Sequence, residues 1–330
     1  MKPKPRTEVY SYYWKFAHER MQIFYNRMNG DKFPWTDDPI LQQYKFCNAY
    51  RVCDRVSQYL VRNICYRENI DSEKDLLFQI VAFRIFSRIE TWQELIVLLG
   101  HQPTLDDLKN DLFESALIQI RNTYGKLYTG AFILCANDAY GRRAKHLNHV
   151  SLLKDMFFNN NLYDRIKEAR SLESIYRIIH EFPLMGDFMS YQIAIDINYS
   201  ELVNFSENDF TQAGPGAQRG IAKVFADTRG MTATEVIMWM TEHQKEEFNR
   251  LGYPFEGLFG RPLHAIDCQN LFCEVDKYCR VAFPEVVSNR KRIKTKFRET
   301  SEPIDFFFPP KWELPIMQHG QTSIGSTHTV

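Results

Sequence analysis

Apolar residues recur every three or four positions along most of the chain, which is the pattern of amphipathic helices. The pattern predicts helical segments at about 8–28, 40–66, 72–99, 105–137, 150–180, 187–198, 217–226, 232–250 and 264–282. Strand-like alternation is short wherever it occurs, and the segment 30–41, rich in proline and aspartate, is predicted as a loop. The sequence therefore predicts an all-α protein without internal repeats.

Composition narrows the class of protein. The 330 residues carry 41 basic and 41 acidic side chains, so the net charge does not favour binding to nucleic acid. Only a local basic face would favour such binding. The seven cysteines form no C-x-x-C pair, which predicts reduced thiols in a cytoplasmic protein without a metal site. The N-terminus lacks an apolar signal core and no stretch is long enough to span a bilayer, so no export and no membrane partner are expected.

Several catalytic signatures are absent. The chain contains no G-x-x-x-x-G-K-[ST], H-E-x-x-H or G-x-S-x-G, so it shows no mark of a P-loop kinase, a zincin or an α/β-hydrolase, and no cofactor is predicted. Residues 1–316 are predicted to form one helical catalytic module. The polar, aperiodic residues 317–330 are predicted to be a flexible tail.

Two apolar-periodic segments, at about 172–198, meet at the sequence FPLMG, which ends at Gly186. A short turn between two helices exposes backbone N–H groups at a helix N-terminus, and these suit a phosphate. An ordinary helical hairpin without a ligand is the alternative interpretation. FPLMG resembles the L-P-G-x-G hairpin with which the helix-hairpin-helix DNA glycosylases grip the DNA backbone, although Leu184 replaces the first glycine.

Asp209 lies about twenty residues beyond this hairpin, where that resemblance implies an essential aspartate. A fixed carboxylate would stabilise the positive charge that develops on the sugar when an N-glycosidic bond breaks, and it would orient water. Phe188 stands where lyase-type members carry lysine, which implies a single hydrolytic step without a Schiff base. The alternative is a helix cap or turn, because SENDFT is rich in capping residues.

Three further groups of residues are candidates for binding. Gly214, Gly216 and Arg219, in the loop AGPGAQRG, would form an anion site, or else a glycine-rich turn without a ligand. Two predicted helix faces would contact substrate. The first carries Asn48, Arg51, Arg55 and Gln58, and its alternative is a solvated face paired with nearby acids. The second carries Asp267, Asn270, Glu274 and Lys277, and its alternative is a structural network. The run 288–300 contains Arg290, Arg292 and Lys294, which would contact the DNA backbone.

Several stretches together resemble one family: PWTDDPILQQYKFCNAYRVCDRVSQYL, FRIFSRIETW, MGDFMSYQIAIDINYS, ENDFTQAGPGAQRG, LFGRPLHAIDCQNLFCEVDKYCR and PPKWEL. They are similar to the helical domain of the 5-hydroxymethyluracil DNA kinases and the related alpha-glutamyl/putrescinyl thymine pyrophosphorylases. The resemblance implies a helix-hairpin-helix, DNA-glycosylase-like fold with two helical lobes around a cleft. It also implies DNA carrying modified pyrimidines as the partner, with the target base flipped out of the helix.

The resemblance leaves three functions open. In the first, a DNA glycosylase excises a modified pyrimidine such as glucosylated 5-hydroxymethylcytosine, leaves an abasic site and serves anti-phage defence. In the second, a transferase displaces pyrophosphate from an activated 5-hydroxymethyluracil with an amino acid or polyamine; Arg51, Arg55 and Arg219 would hold the phosphates, and Asp267 or Glu274 the amine. In the third, the chain binds modified DNA without catalysis. The spacing from hairpin to aspartate favours the first.

Overall fold

The computed structural model describes residues 2–130, 138–286, 290, 292–293, 295–299 and 305–315. These residues are mostly helical, which confirms the all-α prediction, and contacts divide the chain into two compact units. Unit 1 comprises Met1–Asp54 and Phe210–Val330, and unit 2 comprises Arg55–Asp209. The glycosylase-like arrangement of lobes and the single module over 1–316 stay predictions, and the tail 317–330 lies outside the described residues.

The helices in chain order are α1 (Thr7–Met28), α2 (Pro39–Gln43), α3 (Arg55–Leu60), α4 (Glu73–Phe86), α5 (Ile89–Leu99), α6 (Leu105–Lys109), α7 (Leu112–Tyr124), α8 (Lys145–Lys154), α9 (Leu162–Glu168), α10 (Leu172–His180), α11 (Asp187–Tyr199), α12 (Pro215–Val224), α13 (Ala233–Leu251) and α14 (Ala265–Ala282). Short 3₁₀ turns lie at Arg51–Cys53 and Pro310–Trp312, and π-helical turns at Val61–Cys65 and Asp155–Asn159. Strands β1 (Lys4–Pro5) and β2 (Phe225–Asp227) pair antiparallel in unit 1.

The core of unit 1 is built around α14, which packs against α1, α12 and α13. Helix α12 approaches α14 closely because two of its residues lack a side chain. A Cβ atom on Gly216 would lie 2.8 Å from Cys273 Sγ, and one on Gly220 would overlap the backbone carbonyl of Phe272. Gly216 and Gly220 of the loop AGPGAQRG therefore serve the packing of two helices.

Replacing Gly220 with alanine is expected to lower the free energy of unfolding by about 1–3 kcal/mol, because α12 must move away from α14 to admit the methyl group. Chemical denaturation monitored by circular dichroism measures this change. Gly130→Ala is the matched control, since a Cβ there meets nothing within 4 Å and φ is not positive. Equal stability of the two variants would contradict the close packing.

The core of unit 2 is formed by α4 and α11, which pack against each other and are buried on almost every side. A helix that is apolar all round belongs in an interior, and IVAFRIF in α4 has this character. Inside the core lie two opposite charges, Arg84 on α4 and Asp196 on α11, both fully buried and bonded to each other.

Several long predicted helices are interrupted. The prediction of one helix over 40–66 is wrong, because the chain leaves α2, runs irregularly to a 3₁₀ turn and restarts at α3. The predicted helix 72–99 ends at Ser87, which adopts φ 48°, and continues as α5. The predicted helix 150–180 breaks at a π-turn and again at Asn161, with φ 46°. Of the predicted helix 105–137, the part 131–137 lies outside the described residues.

Candidate functional site

The loop 44–50 and the 3₁₀ turn after it are held on one face of α14 by side chains of that helix. Glu274 accepts a hydrogen bond from the backbone N–H of Cys47 at 2.8 Å, and Asp267 accepts one from that of Arg51 at 2.9 Å. Asn270 donates to the backbone carbonyl of Asn48 at 3.0 Å. These three α14 residues are spaced i, i+3 and i+7, so they share one helix face.

This arrangement brings together four residues that the sequence predicted as substrate contacts on two separate helices: Asn48, Arg51, Asp267 and Asn270. We call them, with Asp54 and Glu274, the loop–α14 cluster. All three bonds given above tie the backbone of residues 47–51 to α14, so the cluster fixes the shape of the loop. Arg51 is 2% exposed and Asn48 8% exposed, which makes any ligand contact at these positions a contact with a buried group.

Asp54 is a site residue that the sequence did not single out. Its carboxylate accepts a hydrogen bond from the backbone N–H of Asn48 at 3.0 Å. Burial raises the pKa of Asp54 from 3.8 to about 6; the charge of Glu274 adds to the rise, and the Asn48 N–H and Arg20 oppose it. A carboxyl group tuned towards neutral pH inside a polar cluster is typical of functional sites. In the sequence Asp54 was only an acidic neighbour of arginines, with no spacing to mark it.

Lys277 completes the charge balance of the cluster. Its ammonium group lies 2.5 Å from Glu274 Oε2. Burial alone would lower the pKa of Lys277, but the charge and hydrogen bond of Glu274, together with Cys47 and Asp54, raise the pKa overall. Arg20, on α1, donates from Nε to the carbonyl of Cys47 at 2.9 Å. Arg20 thus holds directly the same loop that the three carboxylates hold, and Lys277 acts through Glu274.

Arg55 and Gln58, predicted on the same helical face as Asn48 and Arg51, belong to unit 2. Both lie on α3, where Arg55 is exposed and Gln58 is half-buried. The prediction that these four residues share one helical face is wrong, because the backbone between Asn48 and Arg55 is not a continuous α-helix. Their roles in binding stay predictions.

The predicted anion loop leads into α12, with Gly214 at the N-cap and Pro215 in the first turn. Arg219 donates from Nε to the buried carboxylate of Asp276 at 3.1 Å, and Lys223 and Arg280 pair with the same group. These opposed charges hold the pKa of Asp276 below its usual value although burial alone would raise it. Arg219 therefore has an internal partner, and anion binding by Gly214, Gly216 and Arg219 stays a prediction.

The predicted hairpin consists of α10 and α11, joined by a turn in which Leu184 adopts φ 73°. This left-handed residue occupies the position where the glycosylase hairpin carries glycine. Gly186 is the exposed N-cap of α11, with φ −78°. Asp209 lies exposed in a bend, with its backbone N–H bonded to the carbonyl of Ser206. It caps none of the described helices, so of the alternative of a helix cap or turn, the cap is wrong and the turn is what the structure shows. Catalysis by Asp209 stays a prediction.

A family model described as "5-hmdU DNA kinase, helical domain" matches residues 7–288. The chain belongs to this family. The resemblance drawn from the sequence motifs is thereby confirmed. A curated relative, the 5-hmdU DNA kinase of Bacillus phage SP10, is 27% identical over 298 residues, which cover 84% of this chain and 46% of the relative. The chain thus spans less than half of that relative's length. No solved structure matches the chain.

The matched region of the 5-hmdU DNA kinase family includes the loop–α14 cluster, the hairpin and Asp209. The basic run begins within it and continues beyond, with Arg290 and Arg292 both exposed; Lys294 lies outside the described residues. Among the described residues no three His, Cys, Asp or Glu side chains are grouped so as to hold a metal ion. None of the helices described combines the length and apolar character that crossing a bilayer requires.

Proposed function

We propose that this chain recognises a 5-hmdU-type pyrimidine in DNA and catalyses group transfer at its 5-hydroxymethyl substituent. The observation that carries the proposal is the family match over residues 7–288, together with a relative named as a kinase for this nucleoside in DNA. Phosphorylation is not assigned to this chain, because its 330 residues contain no G-x-x-x-x-G-K-[ST] motif to cradle a nucleoside triphosphate.

The reaction we propose is displacement of pyrophosphate from an activated 5-hydroxymethyluracil by the amine of an amino acid or polyamine. The bond between the 5-methylene carbon and the pyrophosphate oxygen breaks, and a carbon–nitrogen bond forms. The ammonium group loses one proton, which water takes up. Arg51 and Arg219, both in unit 1, are the cations proposed to hold the leaving phosphates. Arg290, Arg292 and Lys294 are those proposed to follow the DNA backbone.

The loop–α14 cluster is the proposed recognition site for the base. A uracil ring presents an N3–H donor between two carbonyl acceptors, so it matches a carboxylate flanked by amide N–H groups. Asp54 offers that carboxylate, and Asn48 and Asn270 offer the amides. A cytosine ring presents an acceptor at N3 and would be rejected by the same carboxylate. The base must leave the helix stack to be read in this way.

One observation favours a second candidate, excision of the base with Asp209 as the catalytic carboxylate. The α10–α11 turn places Leu184 in the left-handed conformation at the position of the glycosylase hairpin glycine. Asp209, exposed beyond that hairpin, would then stabilise the charge on the sugar of the flipped nucleotide.

Mass spectrometry of nucleosides tests these proposals. The chain is incubated with DNA containing 5-hmdU or its pyrophosphorylated form, with and without amino acids and diamines. Transfer predicts a heavier nucleoside that forms only with added amine, together with released pyrophosphate. A free modified base and an abasic site would instead support excision, and unchanged DNA that binds the chain would leave it a non-catalytic binder. Asp209→Asn abolishes excision but leaves transfer unchanged.

A further inference from the structure

Three aromatic rings of unit 1 lie together outside its core and have no assigned role. They belong to Phe33 and Trp35, in the loop before α2, and to Phe297, in the basic run. The rings of Phe33 and Phe297 are nearly parallel, at 18°, with their centroids 6.0 Å apart, and Trp35 stands edge-on to both. We call these three residues the aromatic platform. Phe33 is 38% exposed, whereas the phenylalanines of the core are 0–8% exposed.

Trp35 is held in place by its own loop and by α1. Its Nε1 donates to the carbonyl of Asp31 at 2.7 Å, and its carbonyl accepts from the Asn26 side chain at 3.1 Å. The guanidinium of Arg27 lies over its ring, 4.8 Å from the centroid, and so contributes a cation–π contact. The ring that these contacts leave open to solvent is Phe33, which is supported from the side by Trp35. An exposed ring that is fixed in advance loses little freedom when a ligand covers it.

The third ring is brought to the platform by main-chain pairing. The backbone N–H of Phe297 donates to the carbonyl of Gln43 at 2.9 Å, and that of Lys45 donates to the carbonyl of Thr295 at 3.0 Å. The basic run is thereby fixed along residues 43–45 as a short antiparallel bridge. Lys45 precedes Asn48 of the loop–α14 cluster by three residues, so the backbone between them spans at most about 11 Å. The bridge therefore leads directly into the candidate site.

Positive charge surrounds the aromatic platform. Lys296 and Arg298 flank Phe297 in the chain, and Lys32 precedes Phe33. All three cations are exposed, and none forms an ion pair with a residue that the structure describes. Within 27–45 and 290–299 the exposed charged side chains described are Lys32, Lys45, Arg290, Arg292, Lys296 and Arg298 against Asp31, Asp37 and Glu299. This surface is positive although the chain as a whole is neutral, so it is a local basic face.

Exposed rings beside cations are the combination with which proteins hold single-stranded nucleic acid. A base in a duplex is covered on both faces by its neighbours, so only an unpaired base lies against a ring of the protein. The surrounding charge matches phosphates and not the apolar face of a protein partner. We propose that the aromatic platform stacks an unpaired base of a DNA strand whose phosphates contact Lys296 and Arg298.

Placing the stacked base next to the target nucleotide rests on the function proposed above, whereas stacking itself does not. Fluorescence anisotropy with the full chain measures binding to three labelled probes: an oligothymidylate of about twelve nucleotides, a strand of that length built from abasic nucleotides, and a duplex of that length. The abasic strand keeps the phosphates but has no base to stack. We expect the oligothymidylate to bind about fivefold more tightly than the abasic strand, or better.

Substitution of the exposed ring tests stacking directly. Phe33→Leu keeps the apolar bulk and removes the ring, so the dissociation constant of the oligothymidylate should rise about 5- to 100-fold while that of the abasic strand is unchanged. Phe33→Tyr keeps a ring and should bind as the wild type does. Phe158→Leu is the matched control, since Phe158 is 40% exposed in unit 2 and should not affect binding. Circular dichroism verifies that each variant is folded.

Substitution of the flanking cations tests the phosphate contacts. Lys296→Gln/Arg298→Gln should weaken binding of the oligothymidylate and of the abasic strand alike, and should reduce the slope of log K against log salt by about one. Lys109→Gln/Arg143→Gln is the matched control, because it removes one exposed lysine and one exposed arginine from unit 2. This control should change neither the affinity nor the slope.

Equal affinity for the oligothymidylate and the abasic strand would overturn the platform, as would equal losses in Phe33→Leu and Phe158→Leu. Tighter binding of the duplex, or of an oligouridylate, would contradict the assignment to single-stranded DNA. Dimerisation in analytical ultracentrifugation that Phe33→Leu abolishes would make the surface a contact between two copies of the chain instead. Binding of the single strand that depends on the Phe33 ring, in a chain that never modifies DNA, would sustain the platform while the transferase proposal fails.

Discussion

Replacing Arg84 with methionine is expected to lower the stability of unit 2 by about 3–5 kcal/mol. Arg84 and Asp196 are both 0% exposed, and the guanidinium meets the carboxylate through two nitrogens, with Nη2 3.1 Å from Oδ1. Methionine fills much of the same space but leaves the Asp196 carboxylate buried without its counter-charge. The desolvation penalty of that charge, rather than the strength of the lost bond, sets the size of the effect.

Urea denaturation of Arg84→Met and of the double variant Arg84→Met/Asp196→Leu measures this penalty. We expect the double variant to recover most of the loss, because it removes the stranded charge as well. Arg177→Met is the matched control, since Arg177 pairs with Glu173 at 2.6 Å on the surface of the same unit and should change stability by less than about 1 kcal/mol. A double variant no more stable than the single one would show that packing, not charge, dominates.

Local signals in the sequence were sufficient to predict some helices closely. Helix α14 was predicted at 264–282 and α13 at 232–250, each within about a residue of its bounds, because the apolar period continues without interruption in both. Thr232 also caps α13. Two predictions of overlong helices were wrong for the same reason. At Ser87 and Asn161 the chain enters the left-handed region without glycine. Serine gives no sign of that change, and asparagine, which tolerates this region, is too common elsewhere to mark it alone.

The segment 40–66 shows how tertiary contacts override a local period. Asn48 and Arg51 fit a helical face, yet their backbone groups bond to Asn270 and Asp267 of α14, more than two hundred residues away in sequence. Asn270 and Asp267 were correctly predicted as polar positions on one face of α14. Their bonding partners in the segment 40–66 were not predictable from the local sequence of either segment. Gly220 gives a second example. It ends the glycine-rich loop AGPGAQRG, which was predicted to bind an anion, whereas its close contact with Phe272 arises from the packing of α12 against α14.

Asp54 could not be found from the sequence because its significance lies in its surroundings. Neither burial nor the neighbouring charges of Arg20, Glu274 and Lys277 can be read from the residues next to it. The pKa of a carboxyl group rises when its charged form is desolvated, and the fold as a whole determines that desolvation. This is the part of the candidate site on which the proposed recognition of uracil most depends.

Asp54→Asn is expected to stabilise unit 1 at pH 7 while weakening activity on 5-hmdU DNA about 10- to 100-fold. The pKa of Asp54 is raised from 3.8 to about 6 on folding, so its contribution to stability is fully present below pH 3.8 and is lost as the pH rises through 6. Asparagine keeps an acceptor for the Asn48 N–H but carries no charge. At pH 7 the variant should therefore gain about 1–3 kcal/mol.

Denaturation curves between pH 4 and pH 7 test the first part, since the difference between variant and wild type should grow across this range. The titratable groups that face Asp54 are Glu274 and Lys277 on α14, Arg20 on α1 and the Cys47 thiol, and the variant changes none of them. Asp37→Asn, at an exposed position in the same unit, is the control and should alter neither quantity. Loss of the charge should also relax discrimination against cytosine, because an amide can donate to N3 where a carboxylate cannot. A variant that gains stability but keeps full activity and selectivity would place base recognition elsewhere in the chain.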